Sequence, residues 1–514
     1  MINYTPNDPL AETSLPTRQQ PARPDRSGNR AGFLFISPAP AENTYPPITP
    51  EFLFWQSREA ALAAVEAWEA IDGPFTQWAP QVANRRKLLL LPNAGNQLNA
   101  YYDGSSISFF EHTAGGKTSF SGASTDVVAH ETGHGLLDSI RPDLWGSNFP
   151  ETGAFHEAFG DCIALITAFF DEPTRRKVLQ ESPDLSVGNF LEATTEDLAD
   201  GVRRDPDYGP THSASAPRHA LNTFQWSLPT TLPVDGPPPT LISEIHSFGR
   251  VFSGCFYDLI RNIFAASATQ TQATLLAAVQ IAGRVLVAGA RQAPEVPRFF
   301  QSVGRSMVLA DETLNNGANR AAIRAAFTSH NIALGTDAML APRAALDGPA
   351  PKFTSRGAKG VLSTETIRDI KRRMDIPSAT RLAVDVLTIG AQKVAKAMHV
   401  REVSLSAMGR EFKDVVALVP QEVMVGATAR AAALVSAIPE PFTTQDEVNA
   451  FVTALLAHGQ LDMGTKKSAV RGAIADARKK EAPLPTHGVF TRGNRRVLQR
   501  LRFACGPRGG ACTE

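Results

Sequence analysis

Apolar residues recur at helical spacing in several segments of the 514-residue chain. Residues 50–71, PEFLFWQSREAALAAVEAWEAI, combine this spacing with many alanines, which favour helices. The same pattern predicts helices over residues 126–140, DVVAHETGHGLLDSI, and over residues 153–170, GAFHEAFGDCIALITAFF. From residue 243 to about residue 340 the pattern is mostly helical. The chain is therefore expected to be rich in buried helices.

Shorter apolar runs and alternating patterns predict strands between and after these helices. KLLLLP, residues 87–92, indicates a buried strand, and LNAYYDGSSISFF, residues 98–110, a hairpin that turns at Asp103 and Gly104. VREVSLSAM, residues 400–408, alternates like a strand. GVFTRGNRRVLQRLRFAC, residues 488–505, predicts a hairpin that turns at Gly493 and Asn494.

The length of the chain exceeds that of one ordinary core, so we expect two or three domains. The first thirty residues are polar and rich in proline, which predicts a disordered tail. The composition changes again near LDGPAPKFTSRGAKG, which is a predicted linker. The predicted organisation is a tail over 1–30, two lobes over 31–170 and 171–345, a linker over 346–360, and a C-terminal domain of mixed helix and strand over 361–514.

Charge and cysteine usage narrow the class of protein. Lys+Arg and Asp+Glu both number 51, so the formal net charge of zero predicts neither nucleic-acid nor membrane binding. No run of apolar residues is long enough for a membrane span, and no apolar signal segment is seen. The 4 cysteines are scattered, which is typical of a reducing compartment. We therefore expect a cytoplasmic protein.

The helix over residues 126–140 carries an H-E-x-x-H motif. His130 and His134 are four residues apart, so their rings share one face of a helix and can bind one ion. Glu131 is rotated away from that face and can act as a base on a water bound to the ion. The alternative is that the two histidines are merely packed in a core helix.

A catalytic zinc ion needs a third protein ligand. Leu137 and Ile140 stand where a metzincin needs glycine and histidine, so the third ligand must come from elsewhere. Glu157, on the next predicted helix, is the leading candidate, and Asp161 shares its face and can bind the ring N–H of a histidine ligand. The competing ligands are His156 and Glu151.

These motifs resemble those of the thermolysin-like gluzincin metallopeptidases, in which an H-E-x-x-H helix is followed by an E-x-x-x-D helix. "DVVAHETGH", "GAFHEAFGD" and the upstream "NAYYDG" follow the order of that family. The resemblance implies an α+β fold with an N-terminal lobe of mixed sheet and helix and a C-terminal helical lobe, here with an additional α/β domain. It also implies one catalytic zinc ion, bound by His130, His134 and Glu157, with Glu131 as the base and Asp161 orienting His130.

The resemblance further suggests residues that act on a peptide or protein substrate. "EIHSFGRVFSGCFYDLI" resembles the segment whose histidine stabilises the reaction intermediate, which indicates His246. The strand that pairs with the substrate backbone would contain Asn99 and Ala100. Arg203 would contact a substrate carbonyl, and Arg204 is an equally placed alternative.

The chain departs from the family pattern at several positions. His156 stands where an asparagine usually precedes the ligand glutamate. Trp145, Asn148 and Phe149 occupy the region of the aromatic hydroxyl that often assists the oxyanion. Asp126 matches a calcium ligand, but Ala168 replaces the expected acidic residue. The sequence therefore predicts the zinc site without a complete calcium cluster.

The C-terminal FACGPRGGACTE contains Cys505 and Cys512 with no other cysteine or histidine close in sequence. This spacing is poor for a zinc site, so the segment is predicted to be a flexible tail.

The leading functional hypothesis is a zinc-dependent metalloendopeptidase that uses Glu131 as the general base. One alternative is a catalytically silent zinc-binding or interaction protein on the same scaffold. Another is a zinc hydrolase that acts on something other than peptides, although the "NAYYDG" strand favours peptides.

Overall fold

A computed structural model describes residues 1–334, 362–373, 376–389, 392–427, 432–434, 444–463, 485–493 and 495–505. The chain has a mixed α+β fold, as the sequence predicts. The predicted linker and Cys512 lie outside the described residues.

The helices before residue 334 are α1 (Pro50–Asp72), α2 (Thr125–Ile140), α3 (Pro150–Phe170), α4 (Glu172–Glu181), α5 (Glu196–Arg204), α6 (Ile245–Ala265), α7 (Gln272–Gln292), α8 (Phe299–Asn315) and α9 (Arg320–Ser329). Most of them lie close to the predicted segments, but α4 and α5 lie between residues 171 and 240, where the sequence predicts irregular structure. Helix α1 shows how local sequence sets the ends: the Thr49 hydroxyl accepts a hydrogen bond from Phe52 N, and Gly73 ends the helix with a φ of 90°. Both signals are readable in the sequence.

Helices α2 and α3 pack directly against each other, and two glycines allow this close approach. A Cβ atom on Gly133 would lie 3.0 Å from Gly160 Cα. A Cβ atom on Gly160 would lie 2.7 Å from the ring of His130. Since the first contact would be unusually tight and the second shorter than real Cβ contacts, the two glycines allow the helix that carries H-E-x-x-H to approach the helix that carries Glu157.

A five-stranded sheet lies beside α2. Its order is β18-β5-β6-β4-β3, with β3 at Gly32–Leu34, β4 at Lys87–Leu91, β5 at Ala100–Tyr102, β6 at Ser106–Phe109 and β18 at Phe503–Ala504. The predicted strand over residues 87–92 and the predicted hairpin at Asp103 and Gly104 are confirmed, because β5 and β6 pair antiparallel. The outer strand β18 comes from the C-terminal end of the described chain.

The first thirty residues differ from the predicted disordered tail. Strand β1 (Ile2–Tyr4) pairs with β2 (Arg18–Gln20), and both Ile2 and Tyr4 are buried. The buried Gln56 side chain of α1 bonds to the backbone N and O of Thr5. Composition alone predicts disorder here because the segment has few apolar residues, but those few are buried and a helix side chain satisfies its backbone.

The C-terminal region has its own mixed sheet. The strand order is β11-β12-β13-β17-β16-β15, and β14 pairs with β13. The bounds of these strands are β11 Ala383–Ile389, β12 Gln392–Ser404, β13 Val415–Ala427, β14 Ala432–Leu434, β15 Leu461–Asp462, β16 His487–Arg492 and β17 Arg495–Arg500. Helices α10 (Thr364–Arg373) and α11 (Thr444–Ala457) accompany the sheet. The predicted hairpin is confirmed by the antiparallel pairing of β16 and β17, while Asn494 lies outside the described residues.

This sheet is docked on the helices of the N-terminal part. Phe149, just before α3, is fully buried in an apolar cluster made otherwise of C-terminal residues. The Asn148 side chain donates a hydrogen bond of 2.9 Å to Leu418 O. Glu422 N donates to Glu295 O at 2.9 Å, and Arg298 pairs with Glu447 at 2.7 Å. The two regions therefore contact each other through both apolar and polar groups.

Candidate metal centre

Two helices bring together the three predicted metal ligands. His130 and His134 lie on α2, and Glu157 lies on α3. The Glu157 Oε2 atom is 3.3 Å from His130 Nε2 and 3.6 Å from His134 Nε2. One ligand atom from each residue lies within 4.8 Å of the others. The predicted combination of two histidines and one glutamate is therefore assembled.

The spacing and environment of these atoms fit a zinc ion. Two ligand atoms that each lie about 2.0–2.1 Å from a tetrahedral zinc ion are about 3.4 Å apart. Within the described part of the chain, both Nε2 atoms and both Glu157 oxygens are buried without a hydrogen-bond partner. Because buried polar atoms without partners are costly, two histidine nitrogens and a carboxylate oxygen within 4.8 Å of one another indicate a cation.

Asp161 holds His130 from behind. Its Oδ1 atom lies 2.9 Å from His130 Nδ1, so the ring presents Nε2 to the metal position. The Ser253 hydroxyl donates to Asp161 Oδ2 at 3.0 Å, and Arg218 Nη2 donates to Oδ1 at 2.9 Å. Burial disfavours the charged carboxylate, but Arg218 and His130 lower the pKa of Asp161 to about 2. Asp161 is therefore an anion that fixes the ring of His130.

His156 plays the corresponding part for His134. The two Nδ1 atoms are 2.8 Å apart, so one must donate and the other accept. Burial, and then the charge of Arg500, lowers the pKa of His156 well below its usual value, which keeps this ring neutral. When His134 binds metal through Nε2, its Nδ1–H donates to His156. The residue that departs from the family pattern thus supports a ligand instead of being one.

Glu151, the other competing ligand, lies away from the metal position. One of its oxygens accepts from Trp226 Nε1 at 2.8 Å, and the other accepts from Phe300 N at 3.0 Å. Glu151 therefore joins α3 to α8 and is not a metal ligand in this structure.

Glu131 is fully buried beside the ligands, and its two oxygens lack hydrogen-bond partners among the described residues. Burial, reinforced by Cys505, raises the pKa of this carboxyl well above its usual value. A carboxylate with a raised pKa and free lone pairs is suited to accept a proton from a nearby water.

His246 lies at the start of α6 and faces the same position. Its Nε2 is 3.1 Å from Glu157 Oε2, and its Nδ1 is 2.7 Å from Glu244 Oε1. Glu244 is also the N-cap of α6 and accepts from His246 N, so cap and side chain fix the imidazole together. Burial opposes a charge on the ring, but Glu157 and Glu244 raise the pKa of His246 well above its usual value. The ring is therefore a strong donor near the metal position.

The predicted substrate strand β5 packs against α2, and its outer edge is covered. Asn99 Oδ1 accepts from Ala100 N at 2.9 Å, which leaves the carbonyl of Ala100 to face outward. That carbonyl accepts from Cys505 N at 2.9 Å. Strand β18 pairs antiparallel with β5, with Phe503 opposite Tyr102 and Ala504 opposite Tyr101.

The structure does not bring Arg203 to the metal centre. Its side chain is exposed and paired with Asp200, while Arg204 donates to the carbonyl of Lys117 at 3.0 Å and so joins α5 to a neighbouring hairpin. Arg218 is the arginine that reaches the site, through Asp161 and at 3.3 Å from His130 Nδ1. Arg203 was predicted only from its position in the chain relative to the family motifs. That position does not show whether an arginine lies on the surface of a helix, as Arg203 does, or in an irregular segment that reaches the site, as Arg218 does.

Cys505 is the second residue that sequence reasoning missed. Its Sγ shares a cluster with His130 and Glu131, and another with Glu157 and His246, each within 4.8 Å. Burial disfavours a thiolate, but His130, His246 and Arg218 lower the pKa of Cys505 to about 5. The prediction of a flexible tail is therefore wrong for Phe503–Cys505. Residues distant in sequence, and no local motif, surround Cys505.

Asp126 belongs to a buried acidic cluster with Asp8 and Glu196. Burial and the neighbouring carboxylates raise the pKa of Asp8 from 3.8 to about 8 and that of Glu196 from 4.5 to about 10. Asp8 comes from the segment predicted to be disordered, so the sequence could not show this grouping.

This cluster predicts a pH-dependent stability. The folded state holds these protons more tightly than the unfolded chain, so the stability from protonated carboxyls is complete below pH 3.8 and is lost as the pH rises towards 8–10. We expect the unfolding midpoint, measured calorimetrically in a chelating buffer, to fall between pH 6 and pH 9. Glu196→Gln should reduce this fall, whereas Glu172→Gln, at an exposed ion pair, should not. An equal fall of the unfolding midpoint in both variants would show that this acidic cluster does not cause the pH dependence.

Comparison with known families agrees with the geometry. Residues 100–338 match the family model of the fungalysin metallopeptidases (M36). The matched region contains α2, α3 and α6, which carry every predicted zinc ligand, Glu131 and His246. No curated protein matches the chain.

Proposed function

We propose that this protein is a zinc-dependent metalloendopeptidase. Residues 100–338 match the model of the fungalysin metallopeptidases, a thermolysin-like gluzincin family. The observation that carries the proposal is the convergence of unpartnered, buried ligand atoms of His130, His134 and Glu157 with the carboxylate of Glu131. A zinc ion bound there would lower the pKa of a water molecule towards neutrality and polarise the scissile carbonyl.

Glu131 is the general base. Its raised pKa lets it take a proton from the attacking water and then give that proton to the leaving amine. Asp161 and His156 hold the two ligand rings, so the position of the water relative to Glu131 is fixed before substrate binds.

His246 and Arg218 are the donors for developing negative charge. The position of His246 Nε2 beside Glu157 Oε2 supports a hydrogen bond to the oxyanion, a contribution worth about 3–4 kcal/mol in comparable sites. Arg218 replaces Arg203 in the proposed contact with a substrate carbonyl, because it borders the pocket that also contains His246.

The substrate is proposed to be a peptide in extended conformation. The outer edge of strand β5, which begins at Ala100, supports antiparallel pairing, since the β18 segment of this same chain pairs with it in that way. A pocket next to Arg218 and His246 has an apolar wall formed by Leu198 and Val202 of α5. We therefore expect cleavage before apolar side chains.

The second candidate function, a catalytically silent zinc protein, is favoured by one observation: β18 covers the strand that a substrate needs. Glu131 argues for catalysis, because a silent scaffold has no need for a buried, unpartnered base next to its metal ligands.

Digestion of a mixed peptide library by the zinc-loaded protein tests the proposal. The full chain is compared with a Cys505→Ser variant, and the products are identified by mass spectrometry. We expect cleavage on the amino side of apolar residues. If neither protein cleaves any peptide although both hold one zinc ion, the silent scaffold is the better description.

A further inference from the structure

The C-terminal segment of the described chain occupies the cleft in which a substrate would bind. Strand β18 is the outer strand of the five-stranded sheet, next to β5. Cys505 N donates a hydrogen bond to the carbonyl of Ala100. A peptide that pairs with β5 must displace this segment, since one strand edge can accept only one partner.

Aromatic contacts hold the segment in place. The Phe503 ring is stacked on His156 at 3.8 Å between centroids and on His134 at 4.9 Å. Trp145 meets the same ring edge-to-face at 5.6 Å. The Arg500 guanidinium lies 4.0 Å from its centroid. Phe503 is fully buried, so the segment is anchored as firmly as a core residue.

The cysteine that follows points its sulfur at the metal ligands. Cys505 Sγ lies within 4.8 Å of a ring nitrogen of His130 and a carboxylate oxygen of Glu131, and also of ligand atoms of Glu157 and His246. In the described residues the Nε2 atom of His130 and both oxygens of Glu131 are buried without hydrogen-bond partners. These are the groups that would surround the open position of a three-ligand zinc site, and a thiolate is a preferred zinc ligand.

The connection to the C-terminal sheet explains how the segment stays in the cleft. Only two residues separate β17 from β18, and Leu501 N donates to Thr486 O at 2.6 Å. His458, in the same region, bonds to Val234 O at 2.8 Å and borders the pocket beside His246. The short tether and the docked sheet give the segment a high effective concentration at the metal centre.

We propose that Cys505 is the fourth ligand of the zinc ion and that Phe503–Cys505 keeps the enzyme latent by filling its substrate cleft. This inference rests on the proposed function, and it assigns the C-terminal region a role as a built-in inhibitor. A thiolate in the fourth position would leave no place for a metal-bound water next to Glu131, and β5 has no free edge while β18 is paired with it. Activity then requires the segment to leave the cleft, which hydrolysis of a peptide bond before Phe503 would allow.

X-ray absorption at the zinc edge tests the ligand assignment without measuring activity. The zinc-loaded wild-type chain should show one sulfur scatterer at about 2.3 Å together with nitrogen and oxygen at about 2.0–2.1 Å. The sulfur signal should vanish in Cys505→Ser and persist in the matched control Cys512→Ser. A wild-type spectrum with only nitrogen and oxygen ligands, or a sulfur signal that survives in Cys505→Ser, would overturn the proposal.

The rate of peptide hydrolysis provides a second test. Zinc-loaded Cys505→Ser should hydrolyse peptides about tenfold or more faster than the wild-type chain and the Cys512→Ser control. Equal rates of peptide hydrolysis in all three proteins would overturn the proposal that Cys505 keeps the enzyme latent. A sulfur signal that depends on Cys505, in proteins that never cleave peptides, would reject the peptidase function and leave the fourth ligand standing. The two proposals can therefore fail separately.

Discussion

Replacing Glu131 by glutamine is expected to lower peptide turnover by about 10²–10⁴-fold, because the amide cannot accept the proton of the attacking water. The zinc ion should remain, since the glutamate lies beside the metal ligands without being one of the predicted three. The amide has nearly the same volume as the carboxylate, so the packing of α2 should be kept. The measurement is the peptide hydrolysis rate per bound zinc, with both proteins carrying Cys505→Ser so that no thiolate competes for the metal position.

Glu151→Gln is the matched control for this substitution. Glu151 is a fully buried glutamate on α3 that bonds to Trp226 and Phe300, away from the metal position. Its replacement should leave turnover per bound zinc unchanged. Retained turnover in Glu131→Gln at equal zinc content would refute the role of Glu131 as base.

Replacing Glu157 by glutamine is expected to weaken zinc binding by about a hundredfold or more. The binding free energy of a protein zinc site is about 10–16 kcal/mol and comes from only a few ligands, so the loss of one ligand is costly. An amide oxygen is not among the ligands that zinc prefers. Glu157 also pairs with His246 at 3.1 Å, so the variant should lose the charged partner of that ring. Competition with a chromophoric chelator measures the affinity directly.

The Glu151→Gln variant again provides the comparison, now on the same helix. It should keep wild-type zinc affinity, and a chelator should lower its unfolding midpoint as it does that of the wild type. In Glu157→Gln the chelator should have little further effect. Equal zinc affinity in both variants would show that the metal is held elsewhere.

The parts of the site that lie on regular helices could be predicted from the sequence. The i, i+4 spacing places His130 and His134 on one face, and the same spacing places Glu157 and Asp161 on the next helix. His246 was indicated by resemblance alone, and the structure places it 3.1 Å from Glu157. The helix patterns, the strand over residues 87–92 and both hairpins were readable because each depends on local periodicity and turn residues.

The missed residues are those whose position depends on contacts distant in sequence. Arg218 lies in an irregular segment without any periodic pattern, and only its ion pair with Asp161 marks it. Cys505 has no metal-binding motif around it, because its partners lie on α2, α3 and α6. Asp8 lies in a polar segment whose few buried residues do not change its composition. No local rule could have selected these three side chains.

The most direct test of the metal centre is an anomalous difference map from crystals of the zinc-loaded full chain, measured on both sides of the zinc absorption edge. We expect a single strong peak within about 2.0–2.3 Å of His130 Nε2, His134 Nε2, a Glu157 carboxylate oxygen and Cys505 Sγ. No peak at that position, or a peak bound by residues other than His130, His134 and Glu157, would contradict it.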